Sequence, residues 1–266
     1  MGRLLKIEWM KIKGYRTFWI LLAITVVSIP SYNYVIFDFI TNRLQVNGQS
    51  LLGNPFAFPE TWQTVCFHSS FMIFIPALLI ITLMTNEFTY KTHRQNVIDG
   101  WSRSQFINVK LLEVLILSVV VTGLVFLTIL YFGFSNKRNE PDAFTWKDTR
   151  YLVYFFVQMI SYSMIAFLCA LLIKRAGLAM GIYFIYMILE QFVVVILRER
   201  YKITAVNYMP EEVTDKLIPF PFGKRVLTGY NKELWEKQVP YYLSVAAAYL
   251  LTYYLVARWR FRKSDL

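Results

Sequence analysis

Val109–Phe132 reads VKLLEVLILSVVVTGLVFLTILYF, and this stretch decides the fold class. Its charged residues, Lys110 and Glu113, stand near the start, and none follows from Val114 to Phe132. An α-helix rises about 1.5 Å per residue, so roughly 20 apolar residues cross the ~30 Å hydrocarbon layer of a bilayer. In lipid every backbone N–H and C=O must find its partner inside the structure, which a helix achieves on its own. The stretch therefore predicts a membrane-spanning helix.

Five further stretches have the same character: Thr17–Phe39, Val65–Thr85, Tyr151–Ile173, Gly177–Leu197 and Val239–Ala257. Pro76 marks an expected kink in the second, and Asp38 is expected at an interface near the end of the first. The composition agrees, with 56% hydrophobic and only 17% charged residues, against about 25% charged in a soluble domain. The expected architecture is an all-α integral membrane protein with six transmembrane helices, forming a single domain over residues 1–266. The basic, partly amphipathic segment Gly2–Arg16 is expected to lie in the interface ahead of the first span. That span is too long for a secretory signal core and lacks an A-x-A cleavage site, so it reads as retained.

The net charge of +11 lies in short segments between spans, a topology signal rather than the footprint of a nucleic acid. With the N-terminus placed in the cytoplasm, the inner segments hold fifteen of the 28 cations and only five of the 17 acids. This favours cytoplasmic N- and C-termini. The outer loops are then about 40–64, 133–150 and 198–238. The last carries two expected short amphipathic helices, Pro210–Leu217 and Lys232–Gln238, around an aromatic turn at Pro219–Gly223. Cys66 and Cys169 both sit in apolar runs and imply no disulfide framework.

The connection between the second and third spans is Asn86-Glu87-Phe88-Thr89-Tyr90-Lys91-Thr92-His93-Arg94-Gln95-Asn96-Val97-Ile98-Asp99-Gly100-Trp101-Ser102-Arg103. It has helical, amphipathic character up to Asp99, with Gly100 as a C-terminal stop. Tyr90, Val97, Ile98 and Trp101 would be available to a groove, and the charged side to a partner in the cytoplasm. The alternative is an ordinary juxtamembrane helix anchored by basic and aromatic residues.

Glu87 ending the second span, the Thr92–x–Arg94 stretch, Ser102-Arg103 and Lys110 entering the third resemble the permeases of ABC-2 type exporters. The basic N-terminal helix, six spans and longer last outer loop extend that resemblance over the whole chain. The family pattern often has Gly before the Thr, where this chain has Lys91. The resemblance implies a half-transporter, in which two permease chains form the pathway and each docks one of two ABC ATPase subunits through this coupling helix. It implies docking residues Glu87, Lys91, Thr92, Arg94, Gln95, Asn96, Asp99 and Arg103, in a bacterial cytoplasmic (inner) membrane. ATP and Mg would belong to the ATPase subunit. This chain itself has no G-x-x-x-x-G-K-[ST] phosphate loop, and Gly223-Lys224-Arg225 lacks the earlier glycines such a loop needs.

Three residues of the fifth span are candidates for the dimer interface or the pathway. Gly177 and Gly181 are spaced G-x-x-x-G, which lets another backbone approach closely. The partner is either a second protomer, as the family uses this span, or another span of the same chain. Glu190 lies within the span, where a carboxylate costs a few kcal/mol unless it is protonated, paired or wetted; Arg198 or Arg200 could pair it. Cys66, His68 and Met72 form a poor set of soft-metal ligands, and no metal site is expected. No clustered ligands or paired carboxylates mark an intramembrane enzyme. A second function compatible with the same architecture is a membrane anchor that passes ATP-driven motion to an envelope partner, contacting it through Pro219–Gly223.

Overall fold

A computed structural model describes residues 2–46, 49–50, 53–136, 145–222 and 232–262. The N-terminal helix α1 (Gly2–Lys13) leads into α2 (Arg16–Asp38), whose last turn widens into a π-helical segment over Phe39–Arg43. A two-residue ribbon, β1 (Gln45–Val46) with β2 (Gln49–Ser50), follows. Next come α3 (Thr61–Ser70), α4 (Phe74–Thr89), α5 (Thr92–Ile98), α6 (Arg103–Ser135), α7 (Arg150–Ile173) and α8 (Ala176–Glu199). A 3-10 turn at Thr204–Tyr208, the single turn α9 (Glu212–Asp215) and the long α10 (Lys232–Arg262) complete the described chain.

Among the described residues five helices are long and apolar enough to cross a membrane, and the bent pair α3–α4 makes a sixth crossing if taken as one span. That pair turns by 47° at residues 71–73, not at Pro76. The reason is positional. Pro76 is the third residue of α4, in the first turn, where its missing N–H deprives the helix of no bond. The sixth span also differs from expectation, because Lys232–Gln238 forms its opening turns rather than a separate helix.

At the centre stands α7, packed on α3, α4, α6, α8, α9 and α10. Tyr151, Phe155, Met159, Ala166, Phe167 and Ala170 along it are essentially inaccessible. A helix surrounded on all sides needs apolar residues around its whole girth, and small ones where neighbours press closest. By contrast, α2 buries a single stripe, Phe18, Thr25, Ile29 and Asn33. Within that stripe Asn33 donates to Ser69 Oγ of α3 at 3.1 Å, a polar tie between spans.

The two ends of the bundle differ. At one, the loops fold into the core: Trp62 Nε1 donates to the Thr145 carbonyl at 2.7 Å, and Gln63 Nε2 to the Pro219 carbonyl at 2.8 Å. Gly133 is required there, since a Cβ would lie 2.3 Å from the Phe58 ring. Phe222 is buried against His68, so of the two phenylalanines in the aromatic turn Phe220 alone stays exposed. Gly223, Lys224 and Arg225 lie outside the described residues. The opposite, basic end gathers α1, α5, the α7–α8 turn and the last turn of α10. Lys174 lies over the Phe88 ring at 5.2 Å, and Arg103 Nη1 donates to the Arg262 carbonyl. Both ends of the described chain thus lie at this one end of the bundle.

Candidate functional site

The connection from α4 to α6 is shaped by three local devices. Lys91 takes the left-handed conformation, φ +55°, and lets the chain turn sharply out of α4. A residue without Cβ fits that conformation best, which gives the physical meaning of the glycine common at this place in the pattern. Gly100, φ +93°, ends α5, and the Trp101 N–H reaches back to the Asn96 carbonyl at 3.0 Å. Ser102 then opens α6 with a reciprocal cap: its Oγ accepts from the Gln105 N–H while Gln105 Oε1 accepts from the Ser102 N–H.

These devices give α5 two faces. Glu87, Thr92 and Asn96 point inward: Thr92 Oγ1 donates to Glu87 Oε2 at 2.6 Å, and Lys11 Nζ to Asn96 Oδ1 at 3.2 Å. Lys91, Arg94, Gln95 and Asp99 are exposed, and Gln95 Nε2 donates to Asp99 Oδ1 at 2.9 Å. Tyr90 and Ile98 join this outer face, Ile98 being 78% exposed. Trp101, expected at the groove, is instead buried, with Lys11 Nζ 5.9 Å from its ring. His93 is buried as well, Nδ1 2.7 Å from the Glu87 carbonyl, and is therefore no part of an open docking face. Arg103 serves the α6–α10 contact.

Behind α5 lies a buried ionic cluster. Lys110 Nζ is 2.5 Å from Glu8 Oε2, 2.8 Å from Glu87 Oε1 and 3.3 Å from Glu113 Oε2. Lys11 Nζ is 2.8 Å from Glu8 Oε1 and 3.4 Å from Glu87 Oε1. The cluster ties α1, the end of α4, α5 and the start of α6 into one unit. Sequence reading placed Glu87 and Lys110 here but took Glu8, Lys11 and Glu113 only as topology charges. Leu4, Glu8, Lys11 and Ile12 share one face of α1 by helical spacing, and that signal was present.

In α8 the buried stripe is Ala179, Tyr183, Glu190 and Val194. Gly177 and Gly181 lie off that stripe, with nothing within 4 Å of an added Cβ among the described residues. Glu190 is paired with neither Arg198 nor Arg200. It accepts from the Tyr186 hydroxyl and from the N–H groups of Glu211, at 2.6 Å, and Glu212, at 3.1 Å. Arg198 goes instead to Glu212. Cys66 and His68 are buried, His68 Nδ1 lying 2.7 Å from the Thr64 carbonyl inside an aromatic cluster.

Residues 4–190 match the family described as ABC-2 family transporter protein, well over half of the chain. The chain belongs to the ABC-2 transporter family. No match is found among curated proteins. The ABC-2 family is a membrane transport component that is not itself catalytic, and it belongs with an ABC ATPase. The matched span includes most of α1, all of α5 and the whole ionic cluster, and it ends at Glu190. The several long apolar helices agree with a multi-pass membrane protein.

Proposed function

We propose that this chain is the permease subunit of an ATP-driven exporter in a bacterial cytoplasmic membrane, with both termini in the cytoplasm. Two such chains form the pathway, and each docks an ATPase subunit on the outer face of α5. The observation that carries this reading is the division of that short helix into an inner face tied to α1 and α6 and an outer face left open. Arg94 and Asp99 offer charges of both signs there, and Ile98 an apolar knob. Motion of a docked subunit would pass through Thr92, Glu87 and Lys110 into α4 and α6, because those side chains are bonded to one another.

Two further observations support the dimer. The glycine face of α8 is open, and Leu178, Ile182, Ile185 and Leu189 along that helix are exposed and apolar. Small residues among apolar ones suit close helix pairing in lipid. Glu190 serves the pathway indirectly, by fixing α9 against α8.

The test is a mild-detergent purification of the tagged chain from its native membrane, with an ATPase assay on the eluate. The reading expects an ATPase subunit at equal stoichiometry, lost in Arg94→Glu and Asp99→Lys variants that still insert. An ATPase retained in full by both variants would place docking elsewhere and sink this assignment.

A further inference from the structure

A cavity of about 690 Å³ opens beside α8 at the loop end of the bundle. Its walls include Phe67, Phe71 and Phe192, and its polar side is built from Gln191, Glu211 and Asp215. Pockets of this size hold drug-sized molecules. Glu211 and Asp215 lie beyond the residues matched to the family.

The charges around it do not balance. Arg198 and Lys216 are both taken by Glu212. Asp215 is held by neutral donors only: Gln158 Nε2 and Tyr162 OH, each at 2.8 Å, and Gln191 Nε2 at 3.2 Å. Glu190 is likewise held by a hydroxyl and two backbone N–H groups. Glu211 is 1% exposed, and neither of its carboxylate oxygens has a hydrogen-bond partner among the described residues. A buried carboxyl without any partner costs several kcal/mol and calls for an explanation. With no cation beside it among the described residues it retains its proton, its pKa pushed up to about 9 by burial and by Glu190 and Asp215.

We propose that this cavity binds a hydrophobic organic cation, its positive centre against Glu211 and Asp215 and its body between Phe67, Phe71 and Phe192. Aromatic faces attract cations as well as apolar surface, and a desolvated carboxylate completes the recognition. An anionic amphiphile would be repelled by Asp215, and a neutral one would draw no charge interaction from either acid. As the site for an exported molecule the cavity rests on the exporter reading above, but binding is measured without ATP or ATPase. Loss of ATPase docking and loss of cation binding are therefore separate results.

The full chain in nanodiscs is titrated with tetraphenylphosphonium and, in parallel, with tetraphenylborate, which has the same shape and opposite charge. The expected result is saturable binding of the cation, weakened about tenfold or more by Glu211→Gln, with no saturable binding of the borate. Phe192→Ala, on the exposed rim, tests the same site without touching the acids and is expected to weaken binding severalfold. Equal binding of both ions, or cation binding unchanged in Glu211→Gln or in Phe192→Ala, overturns the proposal.

Discussion

Replacing Lys110 by Met removes the cation nearest to three carboxylates while keeping most of the side-chain volume. Lys110 is 4% exposed, so solvent cannot take over its role. Its distances are 2.5 Å to Glu8, 2.8 Å to Glu87 and 3.3 Å to Glu113. Breaking a buried charge set by removing one partner costs about 3–5 kcal/mol, because the remaining charges stay buried. A chain of this size loses roughly 2–4 °C of melting temperature per kcal/mol. The Lys110→Met variant should therefore melt roughly 6–20 °C below the wild type in detergent, followed by size exclusion of heated samples. Lys11→Met is the internal comparison. Its side chain is 29% exposed, and its loss should cost about 1 kcal/mol or less. Adding Glu87→Gln to Lys110→Met should restore part of the loss, since one uncompensated charge goes with it. Equal melting of the two lysine variants, or a Lys110→Met protein as stable as the wild type, would refute the claim that this cluster is the keystone of the basic end.

Lys91→Gly should raise stability by about 1 kcal/mol, because the φ of +55° strains any residue with a Cβ. Lys91→Val should lower it, as a β-branched residue fits that conformation worst; thermal melting reads both. Gly177→Leu with Gly181→Leu should leave the folded protomer intact, nothing lying within 4 Å of either position. The same pair should abolish any dimer seen by cross-linking in native membranes. Stability should fall as pH rises from the ordinary carboxyl range towards 9, because native Glu211, with its pKa raised to about 9, holds a proton that the unfolded chain has already released. Asp215, raised to about 6, contributes the lower part of this slope. Glu211→Gln should flatten the upper part, and melting temperature against pH measures it.

The spans were legible because lipid demands long uninterrupted apolar runs, and each run became a helix or, for α3–α4, a bent pair. The bend itself was not legible. Pro76 drew the expectation, but its place in the first turn of α4 makes it harmless, while the break falls on Phe71–Ile73, which bear no breaker residue. The segment between α4 and α6 was legible as a helix with a Gly100 stop. Its face was misjudged at Trp101, because burial there depends on Lys11 of α1 rather than on the local pattern. Glu8 and Lys110 stand 102 residues apart, and no sequence period joins them. Glu190 was recognised as exceptional, and Tyr186 stands one helical turn before it, but its other partners are the backbone N–H groups of Glu211 and Glu212, which carry no sequence signature.

The central claim is that the outer face of α5 receives the ATPase subunit. A photo-crosslinking residue at Ile98, 78% exposed on that face, tests it most directly, with Tyr131, 65% exposed near the opposite end of α6, as the control. Irradiation of native membranes should yield an adduct containing the ATPase subunit from position 98 and none from position 131. A correctly inserted chain that gives no ATPase adduct at 98, or gives one equally at 131, would contradict the account.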